Sequence, residues 1–162
     1  MILLRPRAGF AFSHPAHFVA LGLGTGLAPI APGTVGTLLA FPLHAVLSAW
    51  FAPPAFFLLL CALFILGVWA CGKTGADLGI ADHPGMNWDE VVAFMLVLML
   101  TPPGLGWQAF AFLAFRAFDV VKPPPIRSFE RAFKGGFGVM ADDIAAAFYT
   151  LLLMAIIKQV FL

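Results

Sequence analysis

FRAFDVVKPPPIRSFERAFKGGFGVMADD, residues 115–143, carries nine of the 17 charged residues of a chain that is otherwise mostly hydrocarbon. Arg116, Asp119 and Lys122 lead into Pro123-Pro124-Pro125, a run that no helix interior accommodates. Gly135, Gly136 and Gly138 then lead into the adjacent aspartates Asp142 and Asp143, after which the chain is apolar, apart from Thr150, up to Lys158. A second polar island, residues 77–90, ends in Trp88-Asp89-Glu90 ahead of another apolar run. Charge gathered at the ends of apolar segments predicts that the two islands meet on one face of a membrane.

Composition bears on the class. The 162 residues are 62% hydrophobic and 10% charged, against about 45–50% and about 25% for soluble domains. A soluble domain this small needs more polar surface, so the expectation is a single membrane-embedded domain, residues 1–162. The net charge of +1 is uninformative about nucleic acid, but the absence of a long basic run and the placing of the aromatics in apolar stretches point away from a nucleic-acid partner, and no obligate protein partner is inferred. Cys61 and Cys71 share one apolar run and read as small buried hydrophobes in a reducing compartment. The first apolar run is interrupted by Ser13, His14 and Pro15 and does not read as a cleavable leader.

The breakers divide the chain into helices. Residues 14–28, with three glycines, read as an interfacial or partly inserted helix. Residues 28–33 form a Pro-rich loop, and Thr34 is placed to cap a helix over 35–51. Pro53-Pro54 turns the chain into a second apolar helix over 55–72. At 1.5 Å per residue these two reach about 25–27 Å, close to the hydrocarbon thickness. Further helices are predicted over 89–101, 107–121 and 141–162. The pair 89–101 and 107–121 is either a hairpin or one kinked crossing. A hairpin puts the uncharged turns 51–54 and 101–106 on one side, so that every charged residue except Lys158 lies on the other. The positive-inside rule makes that charged face cytoplasmic, and the hairpin is the preferred arrangement. The fold class is therefore all-α: a multihelical membrane-embedded bundle with a polar site at the cytoplasmic helix ends.

Two acidic doublets, Asp89-Glu90 and Asp142-Asp143, are each read at the start of an apolar helix, where the helix dipole alone would favour them. If the doublets converge, they offer four oxygens to a hard cation such as Mg²⁺, with water completing the octahedron. Arg116, Asp119 and Lys122, spaced i, i+3, i+6, form one stripe at a helix end. That stripe is either a structural ion-pair ladder or, beside Arg127, Arg131 and Lys134, part of an anion site that suits phosphate. Gly135, Gly136 and Gly138 would let backbone N–H groups approach the anion.

Several features carry less. His83, in the acidic island, is read as an exposed loop histidine rather than a ligand or an acid/base. His14 and His17 look interfacial, and His44 reads as a satisfied core residue. Residues 67–74, GVWACGKT, fit the letters of a P-loop, but they end a long apolar helix instead of joining a strand to a helix.

The residues that carry this chemistry resemble the phosphatidylglycerophosphatase A family. The matching blocks are Gly24-Thr25-Gly26-Leu27-Ala28-Pro29, Pro32-Gly33-Thr34, Asp82, Trp88-Asp89-Glu90, Phe115-Arg116, Asp119, Lys122-Pro123, Pro125-Ile126, Gly135-Gly136, Gly138, Met140 and Asp142-Asp143. They span most of the chain. The resemblance implies Mg²⁺-dependent hydrolysis of a lipid phosphomonoester, phosphatidylglycerol as product, a bacterial inner-membrane location with the site facing the cytoplasm, and a helical bundle around one central helix. Pro124, Asn87 and Glu130 depart from the family pattern, and none of them removes a proposed ligand. On this reading Asp89, Glu90, Asp142 and Asp143 hold the metal. Arg116, Arg127, Gly135 and Gly136 hold the phosphate, and Asp89, Asp119, Lys122 and Asp143 serve catalysis.

Two other classes compete. A membrane carrier using carboxylates for a cation or proton would place charge at helix centres, whereas here it clusters at helix ends. An alcohol phosphotransferase would need aspartates spread along helices with intervening Gly and Arg, a spacing this chain lacks.

Overall fold

Proline opens three of the helices. Pro15, Pro32 and Pro53 each stand in a first turn, where a missing N–H costs no intrahelical hydrogen bond. The computed structural model describes residues 6–124 and 133–161. Among them the elements are α1 (Ala8–Ala11), α2 (Pro15–Ala20), a 3₁₀ segment (Gly22–Leu27), α3 (Pro32–Trp50), α4 (Pro53–Leu78), α5 (Trp88–Leu100), α6 (Leu105–Val121) and α7 (Gly136–Phe161). No strand occurs among the described residues. The chain is all-α, and α3, α4 and α7 are each long and apolar enough to cross a bilayer.

The 13-residue α5 lies at the centre and packs on α3, α4, α6 and α7. Its apolar surface is buried nearly all round, from Val91 through Leu98, as expected of a helix enclosed by others. Phe94 anchors this core, with the rings of Phe41, Phe112 and Phe115 around it. Outward-facing side chains such as Leu58, Ile65, Phe148 and Leu152 remain exposed, so the bundle presents hydrocarbon to its surroundings.

The hairpin holds. Glu90, in the first turn of α5, pairs with Arg116 near the end of α6, which requires the two helices to run antiparallel. The ends bearing Asp89, Asp119, Lys122 and Asp142 therefore share one side, and Lys158 in the last turn of α7 lies at the other.

Several boundaries differ from expectation. Helix α3 begins at Pro32, with Ala31 as its N-cap in a left-handed conformation (φ 46°), so Thr34 sits inside the helix and does not cap it. Helix α4 continues past residue 72 to Leu78 and stops at Gly79 (φ 68°), the left-handed ending that glycine favours. The P-loop-like residues 67–74 are therefore ordinary helix. The segment expected to be one helix over 14–28 is broken into α2 and a 3₁₀ segment with a kink at Leu23 and Gly24. Helix α7 begins at Gly136, not 141. Asp142 and Asp143 thus stand about two turns into it, and a helix-start dipole no longer accounts for them. Cys71 is buried as expected, but Cys61 is exposed on the apolar flank.

Candidate active site

The first acidic doublet sends its two members to different partners, as helix neighbours that diverge by about 100° allow, whereas the second contributes both of its members to one cluster. Asp89 from α5 and both Asp142 and Asp143 from α7 point inward. Each offers a carboxylate oxygen, and the three oxygens lie within 4.8 Å of one another. All three residues are at least nine-tenths buried. Asp89 Oδ1 and Asp143 Oδ2 have no hydrogen-bond partner among the described residues. Three buried carboxylates this close repel strongly in a low-dielectric setting, and buried oxygens without donors are costly. Both penalties are relieved by a hard cation that draws on oxygen ligands, and the donor set fits Mg²⁺.

Two cations of the protein line the same cavity. Lys122, in a left-handed conformation at the end of α6 (φ 45°), pairs through Nζ with Asp142 Oδ2. Arg116 donates to Glu90 and, at 2.6 Å, to Asp119 Oδ2. Glu90 is thereby engaged elsewhere: its Oε2 also accepts from Thr37 Oγ1 at 2.7 Å, and its carboxylate is not one of the three clustered oxygens. Asp89, Glu90, Arg116, Asp119, Lys122, Asp142 and Asp143 line one cavity of about 290 Å³, together with residues that include Gly33, Asp82 and Pro84. A neighbouring recess of about 190 Å³ shares Asp82 and Asp142 with it and is lined by Lys134 and Gly135.

The chain is similar to known proteins over most of its length. The family model described as Phosphatidylglycerophosphatase A matches residues 18–158. The chain belongs to the phosphatidylglycerophosphatase A family. A protein of Haemophilus influenzae named Phosphatidylglycerophosphatase A is 39% identical over 155 residues, covering 94% of each chain. One of Escherichia coli with the same name is 42% identical over 136 residues, covering 83% of this chain and 78% of the relative. No solved structure matches. The protein is accordingly a phosphatase, with membrane-spanning helices and bacterial relatives.

In this phosphatidylglycerophosphatase A-like chain, seven of the residues singled out from the sequence as metal-holding, phosphate-holding or catalytic meet at the carboxylate cavity, Glu90 among them. Arg127 lies outside the described residues. Gly135 (φ 79°) reaches the neighbouring recess. Gly136 instead packs on α4, where a Cβ would run into the Val68 carbonyl. His83 is buried and not exposed: its Nδ1 accepts the Gly85 backbone N–H at 3.0 Å. His17 is also buried and pairs with Asp77 at 2.7 Å, joining α2 to α4. His44 is half-buried against Phe56.

Two supports escaped the sequence reading. Thr37 holds Glu90 from α3, one turn beyond Gly33, whose missing side chain makes room for the Glu90 carboxylate. Asn87 is fully buried and ties the approach to α5 to the first residue of α3 by donating to the Pro32 carbonyl at 2.7 Å. The recurrence of Gly33, Gly36 and Thr37 on one face of α3 was the only available signal, and it reads equally well as ordinary helix packing.

Proposed function

We propose that the protein hydrolyses the terminal phosphate of phosphatidylglycerol phosphate with Mg²⁺ bound by Asp89, Asp142 and Asp143, releasing phosphatidylglycerol and inorganic phosphate. The observation that carries this is the convergence of three buried carboxylates, two with unpartnered oxygens, beside Arg116 and Lys122 in one cavity. Bound Mg²⁺ would neutralise phosphate oxygens and lower the pKa of a coordinated water. Arg116 and Lys122 bind and orient the phosphate and stabilise charge that develops on it. Glu90, Thr37 and Asp119 fix the Arg116 guanidinium so that little reorganisation is needed during the reaction. Pairing with Asp142 keeps Lys122 at the cavity edge. The lipid tails stay in the bilayer while the headgroup enters at the charged helix ends. The positive-inside rule supports a cytoplasmic orientation in the bacterial inner membrane.

The test is phosphate release by purified, detergent-solubilised protein from phosphatidylglycerol phosphate, with Mg²⁺ and with EDTA. Release that needs Mg²⁺ and disappears in Asp143→Asn supports the reading. Full activity in EDTA removes the metal from it.

A further inference from the structure

An apolar groove of about 390 Å³ lies between α4, α5 and α7. Phe57, Cys61 and Ile65 of α4, Val92 and Leu96 of α5 and Ile144 of α7 are among the residues that line it, and none of its lining residues is charged. Ile65 is 69% exposed, and Phe57 and Cys61 are exposed beside it. The groove is therefore open along α4, a helix long and apolar enough to cross a bilayer, and its opening faces hydrocarbon.

The upper end of the groove is set by the residues of the carboxylate trio. Asp89, Val92 and Leu96 follow one another at i, i+3 and i+7, which puts them on one face of α5. Val92 stands about 4.5 Å further from the charged end than Asp89, at 1.5 Å per residue. On α7, Ile144 directly follows Asp143. The groove thus starts about one turn beyond the trio and runs away from the charged face, over about 12 Å of α4 from Ile65 to Phe57. An anion-binding cavity and a hydrocarbon groove laid end to end suit a single ligand that carries a phosphate at one end and an alkyl chain at the other.

We infer that this groove seats one acyl chain of the lipid phosphate while its terminal phosphate occupies the carboxylate cavity. This rests on the phosphatase reading above. Moving from the bilayer into the groove gains a tail little hydrophobic free energy, because lipid tails are as apolar as leucine. What the groove supplies is orientation: a seated tail fixes the height at which the phosphate stands against the trio.

The experiment uses the full-length protein in phosphatidylcholine vesicles with Mg²⁺ and a non-hydrolysable phosphonate analogue of phosphatidylglycerol phosphate that carries a diazirine midway along one acyl chain. Crosslinks are expected on the groove residues of α4 and α5, and excess unlabelled phosphonate displaces them whereas the same excess of phosphatidylcholine does not. Equal displacement by phosphatidylcholine, or crosslinks spread evenly to outward positions such as Phe148 and Leu152, would show bulk lipid only and overturn the assignment. A kinetic comparison in detergent adds a second reading. Cys61→Trp, which fills the groove, lowers kcat/KM for the long-chain lipid phosphate about tenfold more than for its dibutyryl counterpart. Leu58→Trp, which adds the same bulk on the outward side of α4, leaves that ratio unchanged. An equal fall on both substrates in Cys61→Trp also overturns the assignment. Absence of phosphate release from either lipid by the wild type would instead remove the phosphatase reading on which it stands.

Discussion

Asp89 on α5 and Asp143 on α7 face each other within the buried carboxylate trio, and each keeps one side-chain oxygen without a donor. Neither helix alone creates this arrangement. It arises because α7 packs along α5 and carries a point about two turns from its start to the level at which α5 begins.

Removing either charge should separate stability from function. Asp89→Asn and Asp143→Asn are expected to raise the thermal midpoint in EDTA, since each relieves like-charge repulsion in a low-dielectric site. The same variants lose Mg²⁺-dependent phosphate release by about 10³-fold or more, because metal charge stabilisation is worth several kcal/mol. Thermal unfolding in detergent alongside the phosphate assay checks both directions.

Metal should stabilise the wild-type fold. At about 100 times Kd, a ligand bound only by the native state adds about 2.7 kcal/mol. A Mg²⁺-dependent rise in unfolding midpoint is expected for the wild type and is lost in Asp143→Asn. A midpoint indifferent to Mg²⁺ in both proteins would argue that the trio holds no cation.

Arg116 depends on its holders. Thr37→Val removes a 2.7 Å hydrogen bond to Glu90 and should cost about 1 kcal/mol of stability. Its effect on activity should be non-additive with Glu90→Gln by about 0.5–3 kcal/mol, because both act on one network. A double-mutant cycle in kcat/KM measures this. Strict additivity would show that Thr37 does not act through Glu90.

Gly33→Ala places a methyl on the Glu90 carboxylate, whose end is already held by Thr37 and Arg116. A displacement near 1 Å at Arg116 should lower kcat/KM by about 10²-fold. Gly106→Ala, where a Cβ meets open space in α6, should be neutral or stabilising by up to about 1 kcal/mol. Comparing the two in activity and thermal midpoint distinguishes crowding of the site from a general sensitivity to added methyl groups.

Topology can be read by labelling. In a cysteine-free background, Lys73→Cys and Lys158→Cys should react with a membrane-impermeant thiol reagent from opposite sides of the membrane. Labelling from the same side would break the hairpin arrangement.

The five longer helices, the turns that begin at residues 51 and 101 and the gathering of charge on one face were legible in the sequence, because apolar runs of bilayer length and proline breakers are local signals. Glycine misled the boundaries. The Gly135-Gly136-Phe137-Gly138 segment was read as lying before a helix over 141–162, yet α7 starts at Gly136, where the missing Cβ lets it lie against the Val68 carbonyl of α4. In the same way α4 runs on through Gly72 and Gly75 to Leu78, supported by α2 packed along it.

By itself the sequence determined an all-helical membrane bundle of the phosphatidylglycerophosphatase A family, with two acidic doublets and a basic stripe at one end. Only the tertiary structure decided that Asp89, Asp142 and Asp143 form the trio while Glu90 turns to Thr37 and Arg116, and that His83 is buried with an unmatched donor. Hydropathy is a property of neighbouring residues and survives in one dimension. The direction a side chain takes is set by what packs against it, and here those partners stand tens of residues away along the chain.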